Sequence, residues 1–125
     1  MSNLSDDTLR RILEQIQQQA VASQRSLSVV NAQITSKNRE KKILELTTQQ
    51  LNAIPRSQNV KMYKGVGKAF VMQPRETISA EHAAQQKAVA DDLSNLSKKA
   101  KYLEKQLNDA QSQLKDIFHS QKREE

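Results

Sequence analysis

The sequence predicts a mainly α-helical protein in which two long helices form an antiparallel coiled coil and are joined by a single β-hairpin. Helix-forming residues dominate, and the chain has only two glycines and two prolines. Apolar residues recur at alternating steps of four and three in both halves. Both glycines lie in one short β-favouring segment between the halves. Together these observations predict one domain over residues 1–125.

The composition is too polar for a compact globular core. Only 36% of the 125 residues are hydrophobic and 3% are aromatic, whereas 27% are charged. Burial of so little apolar surface does not offset the entropy lost by a compact fold. The scarcity of glycine and proline argues equally against disorder. An extended helical assembly fits both facts.

Composition also disfavours several classes of function. Because the chain lacks cysteine, disulfides and thiolate metal sites are excluded. No apolar run approaches the roughly 18 residues of a membrane span, and the polar, acidic N-terminus is unlike a signal peptide. We therefore expect a soluble, cytoplasmic protein. The net charge of +6 could indicate nucleic-acid binding, but basic and acidic residues alternate along both arms.

The first helix is predicted over residues 5–53. Ser5 is a suitable N-cap, and Asp6 and Asp7 complement the helix dipole in the first turn. Pro55 ends the helix because the residue before a proline is pushed out of helical geometry. The predicted seam comprises Leu9, Leu13, Ile16, Ala20, Ser23, Leu27, Val30, Ile34, Lys37, Lys41, Leu44, Thr48 and Leu51.

The second helix is predicted over residues 75–121 and carries the same spacing. Pro74 marks its start, since proline is tolerated in the first turn of a helix. Its predicted seam comprises Val89, Leu93, Leu96, Ala100, Leu103, Leu107, Ala110, Leu114 and Ile117. Neither stripe is stable alone, so each must pack on a partner helix.

Antiparallel pairing of the two arms predicts a specific register. A chain reversal in the centre brings Leu9 towards Ile117 and Leu51 towards Ser79. The same register places Lys37 near Asp91 and Asp92, where a seam lysine is tolerated and helps to fix the register. A parallel homodimer of each arm explains the heptads equally well but leaves the β segment unexplained.

The β segment is predicted to form a hairpin over residues 60–72. Strands at 60–64 and 68–72 flank Gly65-Val66-Gly67, whose glycines allow the positive backbone dihedrals of a tight turn. A phosphate-binding loop is disfavoured because Phe70 replaces the third glycine of G-x-G-x-x-G and a strand follows.

A lone hairpin has two unpaired edges and is marginally stable in water. We therefore expect it to pair with hairpins of other chains, although packing on its own helices alone is the alternative. Alternation places Phe70 and Met72 on one face and Val71 on the other. The candidate assembly residues are Val60, Met62, Tyr63, Gly65, Val66, Gly67, Phe70, Val71 and Met72.

The segment "NVKMYKGVGKAFVMQPRETI", with its "MYKGVGKAF" core, resembles the β-type subunits of prefoldin. Pro74 departs from that pattern, in which a polar capping residue is usual. The resemblance implies a heterohexamer of α-type and β-type subunits whose hairpins join in intersubunit β-barrels. It also implies an ATP-independent co-chaperone that captures unfolded or nascent proteins, such as actin and tubulin, at its coiled-coil tips. These clients would pass to a group II cytosolic chaperonin.

The tip is the end of the coiled coil where both chain termini meet. Apolar residues beside the seam exceed what a two-position stripe needs and remain exposed. They contact non-native clients on one interpretation and only complete the packing of a fraying end on the other. The candidates are Leu4, Leu9, Ile12, Leu13, Ile16, Leu114, Ile117 and Phe118, and Val21 and Val29 could extend the surface.

Catalysis has little support in the sequence. His82 and His119 are 37 positions apart on one helix, too far to share a metal or a proton. No metalloprotease or nucleophile-elbow motif occurs, so neither an enzyme nor a metal or cofactor site is expected. Two other functions stay open: a structural coiled-coil adaptor or tether, and a basic nucleic-acid-binding helix pair.

Overall fold

The computed structural model describes the backbone of residues 5–124 and the side chains of residues 5–120. Within this range the elements are α1 (Asp6–Asn52), β1 (Met62–Val66), β2 (Ala69–Gln73) and α2 (Arg75–Glu124). The chain divides into two compact units. We call Met1–Gln33 with Leu96–Glu125 the terminal unit, and Ile34–Asn95 the hairpin unit. Two long helices joined by one hairpin confirm the predicted fold class.

The start of α1 is capped as its sequence predicts. The Ser5 Oγ accepts a hydrogen bond from the Thr8 backbone N–H at 3.2 Å and lies 2.7 Å from the Thr8 Oγ1. Asp6 and Asp7 occupy the first turn, where their charges complement the exposed N–H groups. At the other end, the Ile54 N–H bonds the Leu51 carbonyl at 3.3 Å just before Pro55.

In the terminal unit, half of the predicted seam positions are buried and the other half are half-buried. Val30 is the least accessible of the described side chains, at 2% exposure, and the polar Ser23 is also buried. The buried apolar side chains of this unit all stand at predicted seam positions: Leu27, Val30, Ala100, Leu103, Ala110 and Ile117. Because the stripe is narrow, apolar residues beside it stay in contact with solvent.

The hairpin unit shows that the two helix segments run antiparallel. The Lys37 Nζ lies 3.2 Å from the Asp92 Oδ2, and the Gln86 Nε2 donates to the Thr48 Oγ1 at 3.3 Å. Partners later in α1 are thus earlier in α2, which is the antiparallel order. Pairing of Lys37 with Asp92 confirms the predicted register at this point of the hairpin unit.

The charged seam residues behave differently from their apolar neighbours. The Lys37 ammonium donates to Asp92 and to Glu40, and these bonds raise the pKa of Lys37 above its ordinary value, with the Asp92 bond the larger cause. Lys41 was predicted on the seam but is exposed. Its long side chain keeps the ammonium in water, which costs less than burying it beside apolar residues.

The hairpin turn begins two residues later than predicted and ends one residue later. Val66 pairs with Ala69, so Gly67 and Lys68 form a two-residue turn rather than Gly65-Val66-Gly67. Gly67 has φ of 60° and occupies the first turn position, which is typical of a type II′ turn. Val66 extends β1 because a β-branched residue favours a strand. The strands accordingly span 62–66 and 69–73 instead of 60–64 and 68–72.

Replacing Gly67 with alanine should destabilise the hairpin by about 1–2 kcal/mol, because a Cβ is disfavoured at positive φ. The matched control is Gly65→Ala. A Cβ at Gly65 would lie 3.8 Å from the Phe70 Cε1, an ordinary contact. Urea unfolding of the two full-length variants compares them, and equal midpoints would contradict the assigned turn.

Candidate functional site

The two faces of the hairpin differ in their surroundings. Tyr63 pairs with Met72, and Gly65 pairs with Phe70, so these four residues share one face. Tyr63, Phe70 and Met72 are exposed, and Phe70 is 78% accessible. We call these three side chains the outer face. An exposed apolar cluster of this kind is a candidate interaction surface.

The opposite face packs towards the helices of the hairpin unit. Met62 is 8% exposed and lines a cavity of about 330 Å³ together with Leu51 and Ile78. Lys64, on the same face, forms an ion pair with Glu81 of α2 at 3.0 Å. On this face, Met62 and Lys64 therefore link the hairpin to its own helices.

Phe70 covers the backbone of Gly65 on the outer face. A Cβ built at Gly65 would lie 3.8 Å from the Phe70 Cε1. A strand glycine leaves its neighbour's backbone bare, and an aromatic ring across the strand pair shields it. This contact holds the ring against the sheet while most of its surface faces outward. Phe70 is thus positioned as the centre of the outer face.

Arg75 links the start of α2 to the end of α1. Its Nη2 donates to the Leu51 carbonyl at 2.9 Å and to the Ile54 carbonyl at 2.8 Å. The last turn of α1 contains no basic residue of its own, so Arg75 supplies the positive charge that stabilises a helix C-terminus. This contact was not predicted from the sequence. The sequence offers two hints of this contact: a basic residue directly follows Pro74, and the last turn of α1 has no basic residue of its own.

Replacing Arg75 with alanine should lower the free energy of unfolding by about 1–3 kcal/mol, since two partly buried carbonyls lose a charged donor. Arg75→Lys should recover only part of this, because an ammonium cannot reproduce the planar guanidinium. Lys87→Ala on the exposed surface of α2 is the control. Thermal unfolding of the full-length chain measures all three, and an Arg75→Ala variant as stable as Lys87→Ala would contradict this role.

The candidate tip residues divide by burial. Ile117 is buried in the seam, whereas Phe118 beside it is 56% exposed. Val21 and Val29, off the seam, are also exposed. Leu4 lies outside the described residues. The remaining candidates are half-buried: Leu9, Ile12, Leu13, Ile16 and Leu114.

The exposed side chains of these surfaces can bind a partner through apolar contacts. Over residues 5–120, no group of three or more potential ligands is placed to hold a metal ion. His82 lines the cavity beside Met62, and its buried Nδ1 has no hydrogen-bond partner. In the described part of the chain, neither helix is long and apolar enough to cross a membrane.

Comparison with known proteins identifies the family. A family model described as prefoldin subunit matches residues 14–121. The chain belongs to the prefoldin family. Prefoldin subunit 1 of Danio rerio is 27% identical, over 94% of this chain and 94% of the relative. The probable prefoldin subunit 1 of Schizosaccharomyces pombe is 30% identical, over 90% of this chain and 98% of the relative.

A solved prefoldin structure has the same fold. The crystal structure of the prefoldin beta subunit from Thermococcus strain KS-1 superposes with a TM-score of 0.77 at 19% identity. The match covers 94% of this chain and 96% of that one. The predicted resemblance to prefoldin β-type subunits is therefore confirmed. As a prefoldin subunit, the chain is a component of a chaperone.

Proposed function

We propose that the chain is one subunit of a heterohexameric, ATP-independent prefoldin that captures unfolded or nascent proteins in the cytoplasm. Actin and tubulin are the expected clients, and a group II chaperonin is the expected recipient. The observation that carries this proposal is the presence of two separate apolar surfaces. The outer face belongs to the hairpin unit, and exposed Phe118 belongs to the terminal unit.

The outer face is assigned to assembly. Its hairpin forms a two-stranded sheet with two unpaired edges, and the apolar side chains of its outer face are exposed. Both features are satisfied when hairpins of several subunits join in a β-barrel. Assembly would also order a hairpin that a lone chain stabilises poorly. We expect the other α-type and β-type prefoldin subunits to supply the remaining strands.

The terminal unit is assigned to client capture. Much of its seam is buried, so the most accessible apolar residues are those beside the seam, Phe118 among them. One such side chain binds weakly. Several subunits on one body raise the effective concentration of binding sites for a single non-native chain, so weak contacts suffice. No nucleotide is needed, because release requires only that each contact be short-lived.

Suppression of aggregation by the assembled complex tests this function. Without nucleotide, the complex should keep a chemically denatured protein soluble when the denaturant is diluted. Removing residues 1–12 and 114–125 should abolish this suppression while the complex stays assembled. Phe118→Ser, which leaves the seam intact, should weaken it about threefold or more, as expected for loss of a hot-spot aromatic.

Tyr102→Ser is the matched control for Phe118→Ser. Tyr102 is an equally exposed aromatic residue of α2 in the same unit, but it lies inside the helix rather than near its end. We expect its replacement to leave suppression unchanged. A structural adaptor, the alternative function, would bind folded partners and show no suppression in any of these samples.

A further inference from the structure

The segment that contains the hairpin is strongly basic. Between Glu45 and Glu76 there is no acidic residue, and five basic residues occur: Arg56, Lys61, Lys64, Lys68 and Arg75. Outside this segment, 15 basic residues are nearly balanced by 14 acidic ones. The net charge of +6 is therefore concentrated at the hairpin rather than spread along the helices.

Only two of these five charges are compensated within the chain. Lys64 pairs with Glu81, and Arg75 binds the carbonyls at the end of α1. Arg56, Lys61 and Lys68 are exposed and form no ion pair with any described residue. We call these three residues the hairpin cations. Lys68 stands in the turn and Lys61 directly precedes β1, so they lie at the two ends of the strand.

A groove beside β2 combines positive charge with an unused acceptor. It has a volume of about 700 Å³ and is lined by Arg56 and Lys61, with Glu76 as its single carboxylate among the described residues. Gln73 also lines it, and the buried Oε1 of this side chain has no hydrogen-bond partner among the described residues. Apolar side chains, Met72 among them, complete the wall. A buried acceptor without a donor is unfavourable until a binding partner supplies one.

We propose that this hairpin pairs with an acidic strand or hairpin of a different prefoldin subunit and that its charge disfavours a second copy of itself. The inference rests on the proposed role of the hairpin in assembly. The partner's carboxylates would face the hairpin cations, and one of its N–H groups would reach the Gln73 Oε1. Complementary charge at a rim speeds the correct encounter, whereas like charges brought together penalise the wrong one.

A second copy is a poor partner for the same reasons. It would bring an identical set of hairpin cations to the shared edge, with no carboxylate between Glu45 and Glu76 to meet them. The outer face alone would allow self-pairing, because apolar contact does not distinguish one copy from another. Charge therefore supplies the discrimination that the apolar surface lacks.

The test reverses the hairpin cations in the full-length chain. The triple variant Arg56→Glu, Lys61→Glu and Lys68→Glu is produced together with the other prefoldin subunits of its organism. Its control is Lys42→Glu, Lys87→Glu and Lys99→Glu, which changes three exposed helix lysines and alters the net charge by the same amount. Native mass spectrometry at low salt should show the hairpin variant assembling at least about tenfold more weakly, and the control within about twofold of wild type.

The salt dependence provides a second test, in which assembly with other subunits and self-association should change in opposite directions. Raising the ionic strength should weaken assembly of the wild type with other subunits, because it screens attraction. It should strengthen self-association of the wild type, because it screens repulsion. If the triple variant of the hairpin cations assembled with the other subunits as strongly as the wild type does, this inference would be overturned and the proposed function would stand. A wild-type chain that joins no prefoldin subunit would overturn both.

Nucleic acid is the other polyanion that such a segment could bind. A short single-stranded oligonucleotide serves as the probe in the same preparations. If the hairpin variant lost oligonucleotide binding but assembled normally, the basic segment would serve nucleic acid and the inference would be wrong. Loss of assembly without any oligonucleotide binding by the wild type supports it.

Discussion

Replacing Val30 with aspartate should lower the free energy of unfolding by about 3–5 kcal/mol, the usual cost of an unpaired buried charge. Val30 is 2% exposed, and the buried side chains of the terminal unit are apolar except for Ser23. Among the described side chains of this unit, no basic residue is buried to receive the carboxylate. Because domains are stable by only about 5–15 kcal/mol, this loss removes a large fraction of the stability. Circular dichroism of the full-length chain during urea titration measures it.

Val29→Asp is the matched control for this substitution. Val29 is the same residue type one position earlier and is 58% exposed, because successive helix residues point about 100° apart. Its replacement should change the free energy of unfolding by less than about 0.5 kcal/mol. Equal destabilisation by the two variants would show that the seam is rotated from its assigned position.

Burial of the seam was predictable from the sequence because a heptad pattern has only one geometric solution on a helix. Steps of four and three keep one stripe in line, and a polar protein has little else to bury. Leu27, Val30 and Leu44 were therefore assignable without a structure. Lys41 was not, because the pattern fixes the direction of a Cβ and not the reach of a long charged side chain.

The hairpin was predictable as an element but not in its turn. Two glycines two positions apart allow either Gly65 or Gly67 to take the positive φ, and composition does not choose between them. The choice follows from the register, in which Val66 pairs with Ala69. The register in turn depends on placing Met62 against the helices, a tertiary contact that local sequence does not contain.

The residues of the candidate surfaces were likewise predictable only in part. Sequence reasoning grouped Ile117 and Phe118 together at the tip, whereas the structure buries the first and exposes the second. It identified Phe70 and Met72 as residues of one face, which the register bears out. It could not find Arg75, since its two acceptors are backbone carbonyls more than 20 residues away. Backbone acceptors leave no trace in the amino-acid sequence.

The outer face should be the most sensitive part of the chain for assembly. Phe70→Asp with Met72→Asp should weaken incorporation into a prefoldin complex at least about 100-fold, because two apolar anchors of an interface are replaced by charges. Both side chains are exposed in the lone chain, so the helices should keep their stability. Native mass spectrometry gives the incorporation, and circular dichroism confirms the helical content.

Two single variants separate the outer face from other exposed apolar positions. Val71→Asp changes the opposite face of the same strand, where the new carboxylate would stand across from Lys64, so incorporation should fall much less. Phe118→Asp changes an exposed aromatic residue of the terminal unit and should leave incorporation intact while it impairs client capture. If Val71→Asp reduced incorporation as much as Phe70→Asp with Met72→Asp does, the face of β2 that carries Val71 would also belong to the interface. If Phe118→Asp blocked incorporation, assembly and capture would not be divided between the two units, and the proposed mechanism would fail.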